Sequence, residues 1–296
     1  MHIVYVTDGK AGHRSQALGL YQALQRLSQQ ALSFEEITAE SLSRFNLFLA
    51  RGHKQHPLIQ QQPDYIFSVG SHTQLKALLL GQVFPQAKTV VLMKPKFPLQ
   101  WFDYVIVPQH DGLAEQDNVI VTQGALNPIV NEKRHQKKRI LIALGGASKR
   151  HQWNEAKVLQ AIEKIVQDNK KSEIILTTSR RTPKDFLSSL HEKTFAKNLQ
   201  IFPVDDTPQG WIFEQMQLAE AVWVTEDSVS MLYEALTAGC KVGVIEIDRL
   251  KQDRITQSVD QLLKKGWVSH ASQLNLLGLA KPLKEADRVA TYLLAS

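Results

Sequence analysis

The sequence predicts an α/β protein with two Rossmann-like, doubly wound domains that face a cleft. Apolar runs typical of buried strands alternate with segments of helical period, and strands separated by helices pair in parallel. Polar and glycine-rich clusters follow most of these strands. The alternation stops once, between residues 124 and 139, where Pro, Asn and charged residues indicate a linker. The pattern therefore predicts an N-terminal domain at 1–125, a C-terminal domain at 139–283, and a closing helix at 284–296 that could pack back on the N-terminal domain.

The N-terminal half begins with a strand at 3–6 and a helix from about Ser15 to Ser28, whose apolar residues recur at helical spacing. Further apolar runs predict strands at 35–38, 46–50, 65–69, 89–93, 104–107 and 118–122, and a second helix at 74–80.

The C-terminal half repeats this architecture without a sequence repeat that can be aligned. Its predicted strands lie at 139–144, 173–177, 199–202, 221–224 and 241–245. Its predicted helices lie at 155–167, 184–190, 210–218, 229–238 and 254–265.

Composition bounds the class of protein. The 296 residues contain 43% hydrophobic and 22% charged side chains, as globular proteins do, and one cysteine, Cys240, which excludes an internal disulfide. No apolar run approaches the roughly 18 residues that span a bilayer, and the N-terminus has no basic-then-apolar leader. We therefore expect a cytoplasmic protein, peripheral at most to the inner face of the membrane.

The net charge of +6 favours anionic partners. No Lys/Arg run with interleaved aromatic residues argues for nucleic acid, which we do not expect as a partner. An anionic membrane surface is a further expected partner. Arg14, Lys94 and Lys96 with Phe97 and Trp101 could form the contact patch, although a mixed surface loop is the simpler interpretation.

The stretch AVWVTEDSVSMLYEALTAG at 221–239 organises the second half. It reads as a strand, a polar loop with Thr225, Asp227 and Ser228, and a helix. The first N–H groups of such a helix lack internal partners and attract phosphate, so Ser228 and Ser230 are candidate phosphate ligands. Glu234 lies further along the helix, where its carboxylate could bind the hydroxyls of a ribose. The alternative is that Ser228 only caps the helix and Glu234 is a solvated charge.

Two other loops of this half follow strands and are expected at the same edge of the sheet. Gly145 and Gly146 would let the backbone approach a phosphate closely, although a tight turn explains them equally well. Ser179, Arg180 and Arg181 suit recognition of phosphate oxygens, and a solvated basic loop is the alternative.

The loop at 8–13 supplies the chemistry of the first half. Asp8 or His13 could accept a proton from an acceptor hydroxyl, and the residues alone leave that choice open. Lys10 and Gly12 of the same loop, and His72 after another strand, are candidate acceptor-side residues. The alternatives are a glycine turn in which Asp8 caps the next helix and, for His72, a structural hydrogen bond.

Several common sites are not expected. The chain lacks the G-x-G-x-x-G fingerprint, the Walker loop, the G-x-S-x-G elbow and zinc-ligand spacing. It also has no Asp-x-Asp sequence of the kind associated with metal-dependent sugar transfer. We therefore predict neither a metal site nor a cofactor.

Four motifs together resemble a known family. They are DGKAGHRSQALGL at 8–20, LGGAS at 144–148, TTSRRTP at 177–183 and VTEDSVSMLYEALTAGCKV at 224–242. The chain resembles the elongated-mitochondria, or mitochondrial-fission, family of bacteria and plants over nearly its whole length. Its bacterial members are regarded as glycosyltransferases of outer-core lipooligosaccharide.

This resemblance implies the two-domain GT-B fold, similar to that of MurG-type glycosyltransferases. The C-terminal domain would hold a nucleotide sugar and the N-terminal domain the acceptor. It gives Arg180, Ser228 and Ser230 to the donor diphosphate and Glu234 to the ribose, and places the loop at 8–13 at the reaction centre.

The expected function is metal-independent transfer of a sugar from a nucleotide-diphosphate donor to a hydroxyl of a lipid-linked or lipooligosaccharide acceptor. Two rivals stay open. A nucleotide-sugar 2-epimerase would need only the donor. A non-catalytic scaffold with the same fold would recruit partners at a membrane.

Overall fold

The structure is a computed structural model that describes residues 1–51 and 53–295. The chain divides into two compact units, Met1–Pro128 with Lys284–Ser296, and Ile129–Leu283. Each unit is built around a parallel sheet with helices packed on it. None of the helices within the described ranges is both long and apolar enough to cross a membrane.

The first unit contains a six-stranded sheet in the order β2-β1-β3-β4-β5-β6, and every neighbouring pair is parallel. Its strands are β1 (His2–Thr7), β2 (Ser33–Thr38), β3 (Tyr65–Val69), β4 (Lys88–Leu92), β5 (Tyr104–Pro108) and β6 (Val119–Thr122), and its first helices are α1 (Ala11–Leu27), α2 (Arg44–Leu49) and α3 (Gln74–Val83).

The second unit contains a five-stranded parallel sheet in the order β10-β9-β7-β11-β12 and a separate antiparallel pair, β8 with β13. Its strands are β7 (Gln136–Ala143), β8 (His151–Gln152), β9 (Glu173–Thr177), β10 (Gln200–Phe202), β11 (Ala219–Thr225), β12 (Lys241–Ile245) and β13 (Asp248–Arg249), and its helices are α4 (Glu155–Asp168), α5 (Phe186–His191), α6 (Trp211–Leu218), α7 (Val229–Ala238) and α8 (Arg254–Lys264).

The inner strands of both sheets carry apolar side chains that are buried on both faces. In β1, Ile3 and Tyr5 join one apolar cluster while Val4 joins another on the opposite side. In β7, Leu141 and Ile142 likewise belong to different clusters. Because successive side chains of a strand point to opposite faces, strands covered by helices on both sides are apolar throughout. Such runs made these strands predictable.

The last helix, α9 (Glu285–Ala295), packs in the first unit. Val289 and Leu293 lie in the same apolar cluster as Leu20 of α1. Arg26 of α1 forms an ion pair of 2.6 Å with Asp287. The chain therefore returns to its first unit after the second sheet is complete.

One predicted strand was wrong. Residues 46–50 belong to helix α2 and its C-terminal end, not to the sheet. The Ser43 hydroxyl caps that helix by accepting a hydrogen bond of 3.4 Å from the N–H of Asn46. Only Leu47 of the apolar run is buried, whereas a central strand of this sheet would bury all of its side chains. Gly52, which follows this segment in the sequence, lies outside the described residues.

Candidate functional site

Three loops of the second unit meet at the carboxyl ends of β7, β9 and β11. Gly145 and Gly146 follow β7 and are buried. The N–H of Gly145 donates to Thr225 Oγ1 at 2.7 Å, and the N–H of Gly146 donates to Asp227 Oδ2 at 3.0 Å. A Cβ on Gly145 would lie 2.2 Å from Asp227 Oδ2. The loop after β7 thus packs tightly against the loop after β11, and a larger residue at position 145 would displace the side chains of Asp227 and Ser228.

The loop after β9 closes on the same glycines. The hydroxyls of Ser179 and Thr182 both donate to the carbonyl of Gly145, at 2.9 and 2.5 Å. A Cβ on Gly146 would lie 2.0 Å from the carbonyl oxygen of Arg181. The structure therefore brings the predicted loops at 145–148, 178–182 and 225–230 together.

Arg181 connects two of these loops through its side chain. Its Nη2 lies 2.6 Å from Asp227 Oδ2 and donates to Ser228 Oγ at 2.9 Å. Asp227 Oδ2 also accepts hydrogen bonds from the N–H of Gly146 and the hydroxyl of Ser228. Asp227 therefore faces protein donors, and its carboxylate positions Arg181.

The N-terminus of α7 lies beside this ion pair. Ser228 occupies the N-cap position, but its side chain makes no capping hydrogen bond. The alternative in which Ser228 only caps the helix is wrong, because its hydroxyl donates to Asp227 and accepts from Arg181. Among the described residues the N-cap side chain thus leaves the first-turn N–H groups uncapped, and Ser230 in that turn is exposed. An uncapped helix start of this kind favours an anion.

Arg180 differs from its neighbour. It is exposed, and no hydrogen bond or ion pair joins it to any part of the chain that the structure describes. Arg181 is committed to Asp227, while Arg180 retains all of its donors for a partner in solution.

Glu234 lies on α7, one and a half turns beyond its start. The side chain is half-buried, and no described residue donates to it or pairs with it. Loss of water around the carboxyl raises its pKa to about 7. An unpartnered carboxyl in this setting can accept hydrogen bonds from the hydroxyls of a ligand.

The sequence interpretation missed an adjoining cluster. Arg249 of β13 pairs with the buried carboxylate of Glu226 and with Asp260 at 2.6 Å. His151 of β8 is buried, Ser148 lies 3.3 Å from its Nδ1, and its Nε2 has no partner among the described residues. Burial lowers the pKa of His151. His151 and Arg249 lie far apart in the sequence and belong to no motif, so the sequence did not indicate that they would form one cluster.

In the first unit, Asp8 and His13 form a hydrogen-bonded pair. His13 Nδ1 lies 2.9 Å from Asp8 Oδ1, and Lys10 Nζ lies 2.8 Å from Asp8 Oδ2. Burial alone would raise the pKa of Asp8, but the hydrogen bonds from Lys10 and His13 outweigh it and lower the pKa. Asp8 thus stays ionised and holds one ring nitrogen of His13, leaving Nε2 directed away from the pair.

The neighbouring strands support this pair. Gly12 and His13 lie in the first turn of α1, which begins earlier than predicted. Gly70 after β3 has φ +84°, and a Cβ there would lie 2.4 Å from the ring of His13. The loops after β1 and β3 therefore touch through His13. His72 in the latter loop is exposed and makes no hydrogen bond to the described residues.

Within 1–51 and 53–295, no group of three or more His, Cys, Asp or Glu side chains could hold a metal ion.

The chain was compared with known proteins. The model of the family described as Mitochondrial fission ELM1 matches residues 11–296. Protein RP120 of Rickettsia prowazekii is 25% identical over 345 aligned positions, which cover 98% of this chain and 97% of that protein.

Solved structures share the fold at low identity. MurG of Acinetobacter baumannii aligns with a TM-score of 0.50 and 14% identity over 99% of this chain and 89% of its own. The UDP-GlcNAc 2-epimerase of Methanocaldococcus jannaschii aligns with a TM-score of 0.53 and 13% identity over 100% of this chain and 99% of its own. The predicted fold is confirmed: the chain has the GT-B type of α/β fold.

Proposed function

The chain belongs to the mitochondrial fission ELM1 family, and from this membership and the loops described above we propose that it is a glycosyltransferase that uses a nucleotide-diphosphate sugar. The second unit binds the donor, and the first unit supplies the base. The acceptor is a hydroxyl of a lipid-linked sugar or a lipooligosaccharide.

One observation carries this proposal: a single helix, α7, combines two features that a nucleotide diphosphate needs. Its uncapped N-terminus lies beside Ser228 and Arg181, which favours a diphosphate. Further along, Glu234 has no protein partner and suits the hydroxyls of a ribose. Gly145 and Gly146 bring backbone close to the same loops, and Thr225 fixes the first of them.

The reaction balances without a cofactor. The acceptor oxygen bonds to the anomeric carbon of the donor sugar while the bond between that carbon and the β-phosphate oxygen breaks. The acceptor proton passes to His13 Nε2, and Asp8 holds the other ring nitrogen so that Nε2 can accept it. The departing diphosphate is stabilised by the start of α7 and by the exposed side chain of Arg180, whose guanidinium turns from solvent to the phosphate oxygens.

These cationic and dipolar groups support the proposal that transfer needs no metal. Activity should therefore persist when EDTA is present in excess. Loss of activity that Mg²⁺ or Mn²⁺ restores would contradict this part of the proposal.

Ligand-dependent thermal stability tests the donor site. UDP, GDP, ADP and CDP are each compared with the matching monophosphate and with diphosphate alone. At about 100 times its dissociation constant, the correct nucleotide adds about 2.7 kcal/mol of apparent stability. We expect one nucleoside diphosphate to give this shift, and its monophosphate a smaller one.

Two variants locate the binding. Arg180→Met should reduce the shift with the diphosphate more than with the monophosphate, and Glu234→Gln should reduce it with both. Lys164→Met, an exposed cation on α4, is the matched control and should leave the shift unchanged. A full shift in both site variants would exclude this binding mode.

The epimerase alternative has a direct test. Purified protein is incubated with the sugar nucleotide alone, and the products are separated. Isomerised donor would contradict simple transfer. The scaffold alternative predicts that Glu234→Gln and His13→Gln leave the function of the protein in cells intact while it stays folded.

A further inference from the structure

Helix α2 exposes three large apolar side chains to solvent. Phe45 is 69% exposed, Phe48 is 55% exposed and Leu49 is 57% exposed. Leu47 alone points into the core of the first unit, where α2 packs on α3. Leu58 in the following loop is 44% exposed. We call these four apolar side chains, together with the cations Arg44, Arg51 and Lys54, the α2 patch.

The segment that carries this patch has charged side chains of one sign. Residues 41–63 contain no Asp or Glu, but they contain Arg44, Arg51 and Lys54. The guanidinium of Arg51 lies 4.2 Å from the centre of the exposed Phe48 ring. On α3, which packs against α2, the only charged side chain is Lys76, and its ammonium donates to backbone carbonyls. The nearest carboxylate before the patch in sequence is Glu40.

A cavity of about 1060 Å³ adjoins the patch. Its lining includes Asn46 and Leu49 of α2 and residues 53–62; among the described residues that line it, Lys54 is the only Lys or Arg and none carries a carboxylate. Hydroxyl and amide groups of this lining suit the polar parts of a lipid headgroup.

We propose that the α2 patch binds the surface of a bilayer that contains anionic phospholipids. Exposed apolar side chains enter the boundary between headgroups and acyl chains, and flanking cations attract anionic headgroups. This inference does not depend on sugar transfer, because it rests on residues apart from the loops after β1 and β3.

A second copy of the chain is a poorer occupant. A two-fold contact through this patch would place Arg44, Arg51 and Lys54 against the same three cations of the partner, with no carboxylate between 41 and 63 to neutralise them.

The patch expected from sequence is less suited to the same role. Arg14 is neutralised by an ion pair of 2.6 Å with Glu36, and Lys94 Nζ donates to the carbonyl of Asp111 at 3.4 Å. Phe97 stacks on Trp101, so that only Trp101 is strongly exposed.

Vesicle co-sedimentation of the whole chain tests the proposal. The probes are vesicles of phosphatidylglycerol and phosphatidylcholine in equal parts, and vesicles of phosphatidylcholine alone, at about 0.1 M ionic strength, where charges act over about 10 Å. We expect binding to the first and much weaker binding to the second. A variant with Phe45→Ser, Phe48→Ser and Leu49→Ser should bind about tenfold more weakly or worse, as should one with Arg44→Gln, Arg51→Gln and Lys54→Gln.

Control variants carry changes of the same kind elsewhere. Leu276→Ser with Leu279→Ser removes two exposed apolar side chains of the second unit, and Lys137→Gln, Lys170→Gln and Lys171→Gln remove three exposed cations. Both should bind within about twofold of the unchanged chain. Circular dichroism and the melting temperature confirm that every variant is folded.

Three outcomes would overturn the proposal. The unchanged chain could fail to bind anionic vesicles, the folded α2 variants could bind as well as the controls, or the apolar variant could convert a dimer into a monomer without affecting vesicle binding.

Discussion

The guanidinium of Arg181 lies 2.6 Å from the carboxylate of Asp227, and this contact joins the loop after β9 to the loop after β11. The Asp227 side chain has no exposed surface, whereas that of Arg181 is 44% exposed. Asp227 Oδ1 is buried without a partner among the described residues. The carboxylate is therefore stabilised by the ion pair and the hydrogen bonds that its other oxygen, Oδ2, makes. The ion pair holds Arg181 against Ser228 at the start of α7 and shapes the proposed diphosphate site.

Arg181→Met should therefore destabilise the protein by about 2 kcal/mol, because it leaves a buried carboxylate without its cation; the exposure of the guanidinium keeps the loss below that of a fully buried pair. Arg181→Met combined with Asp227→Asn should cost less than the sum of the two single changes. Urea denaturation measures these free energies. Arg180→Met is the matched control and should change stability by about 0.5 kcal/mol or less. Equal losses at the two arginines would contradict the assigned contact.

A second prediction concerns the contact between Gly146 and the backbone of Arg181. Gly146→Ala places a Cβ 2.0 Å from a carbonyl oxygen, which no side-chain rotation relieves. We expect a loss of about 1–3 kcal/mol of unfolding free energy, together with a smaller stabilisation by nucleotide diphosphate. Gly12→Ala in α1 meets no atom within 4 Å and should be neutral or about 1 kcal/mol stabilising. The urea midpoints of both variants measure these changes in unfolding free energy. If Gly146→Ala left the midpoint unchanged, the two loops would not pack closely.

Most of the second sheet was predictable because its inner strands contain short apolar runs that are bounded by turns and buried on both faces. The run at 46–50 carried a similar signal in a different setting. A short apolar segment can form either a strand or a helix. Tertiary packing determines which one forms, and here Leu47 is the only residue of the helix that is buried in the core. Ser43 as an N-cap was the local signal that favoured a helix.

The site was predictable in outline for a related reason. Parallel strands present their carboxyl ends at one edge, so the loops carrying Gly145, Arg181 and Ser228 were expected to meet there. The sequence could not distinguish Arg180 from Arg181, because the turn geometry decides which of two adjacent identical residues reaches Asp227. It also could not show that Glu234 lacks a partner, since that depends on every element packed around α7.

A third prediction separates the base from the donor site. His13→Gln should lower the rate of sugar transfer by about 10²–10⁴, because Nε2 no longer accepts the proton of the acceptor. The same variant should keep the full thermal shift with nucleotide diphosphate, since His13 belongs to the first unit. Donor hydrolysis, with water as the acceptor, measures the rate without a known acceptor.

Asp8→Asn tests the orienting contact in the same assay. Its amide can no longer hold His13 as the ionised carboxylate does, so the rate should fall while the nucleotide shift stays full. If both His13→Gln and Asp8→Asn hydrolyse the donor at the original rate, the base lies elsewhere.

The fourth prediction follows from the raised pKa of Glu234. The carboxyl has a pKa of about 7 in the folded chain and an ordinary value of 4.5. Between these values the folded chain binds the extra proton, so the unfolding free energy falls as pH rises from about 4.5 to 7 and then stays level. Glu234→Gln removes this loss. The variant should match the original chain near pH 4.5 and exceed its stability by about 2 kcal/mol at pH 8, or a few degrees of melting temperature.

Glu220 provides the matched control with the opposite sign. Burial would raise the pKa of Glu220, but hydrogen bonds from the N–H of Lys138 and from the ammonium of Lys241 outweigh it and lower the pKa. Its stabilising effect is present above the ordinary pKa of 4.5 and is lost as pH falls through the lowered value, so Glu220→Gln should destabilise the chain at pH 8. The melting temperatures of Glu234→Gln and Glu220→Gln, each measured at pH 5 and pH 8, test these opposite effects on stability. If Glu234→Gln changed the melting temperature equally at both pH values, Glu234 would not be the desolvated carboxyl that the proposed ribose contact requires.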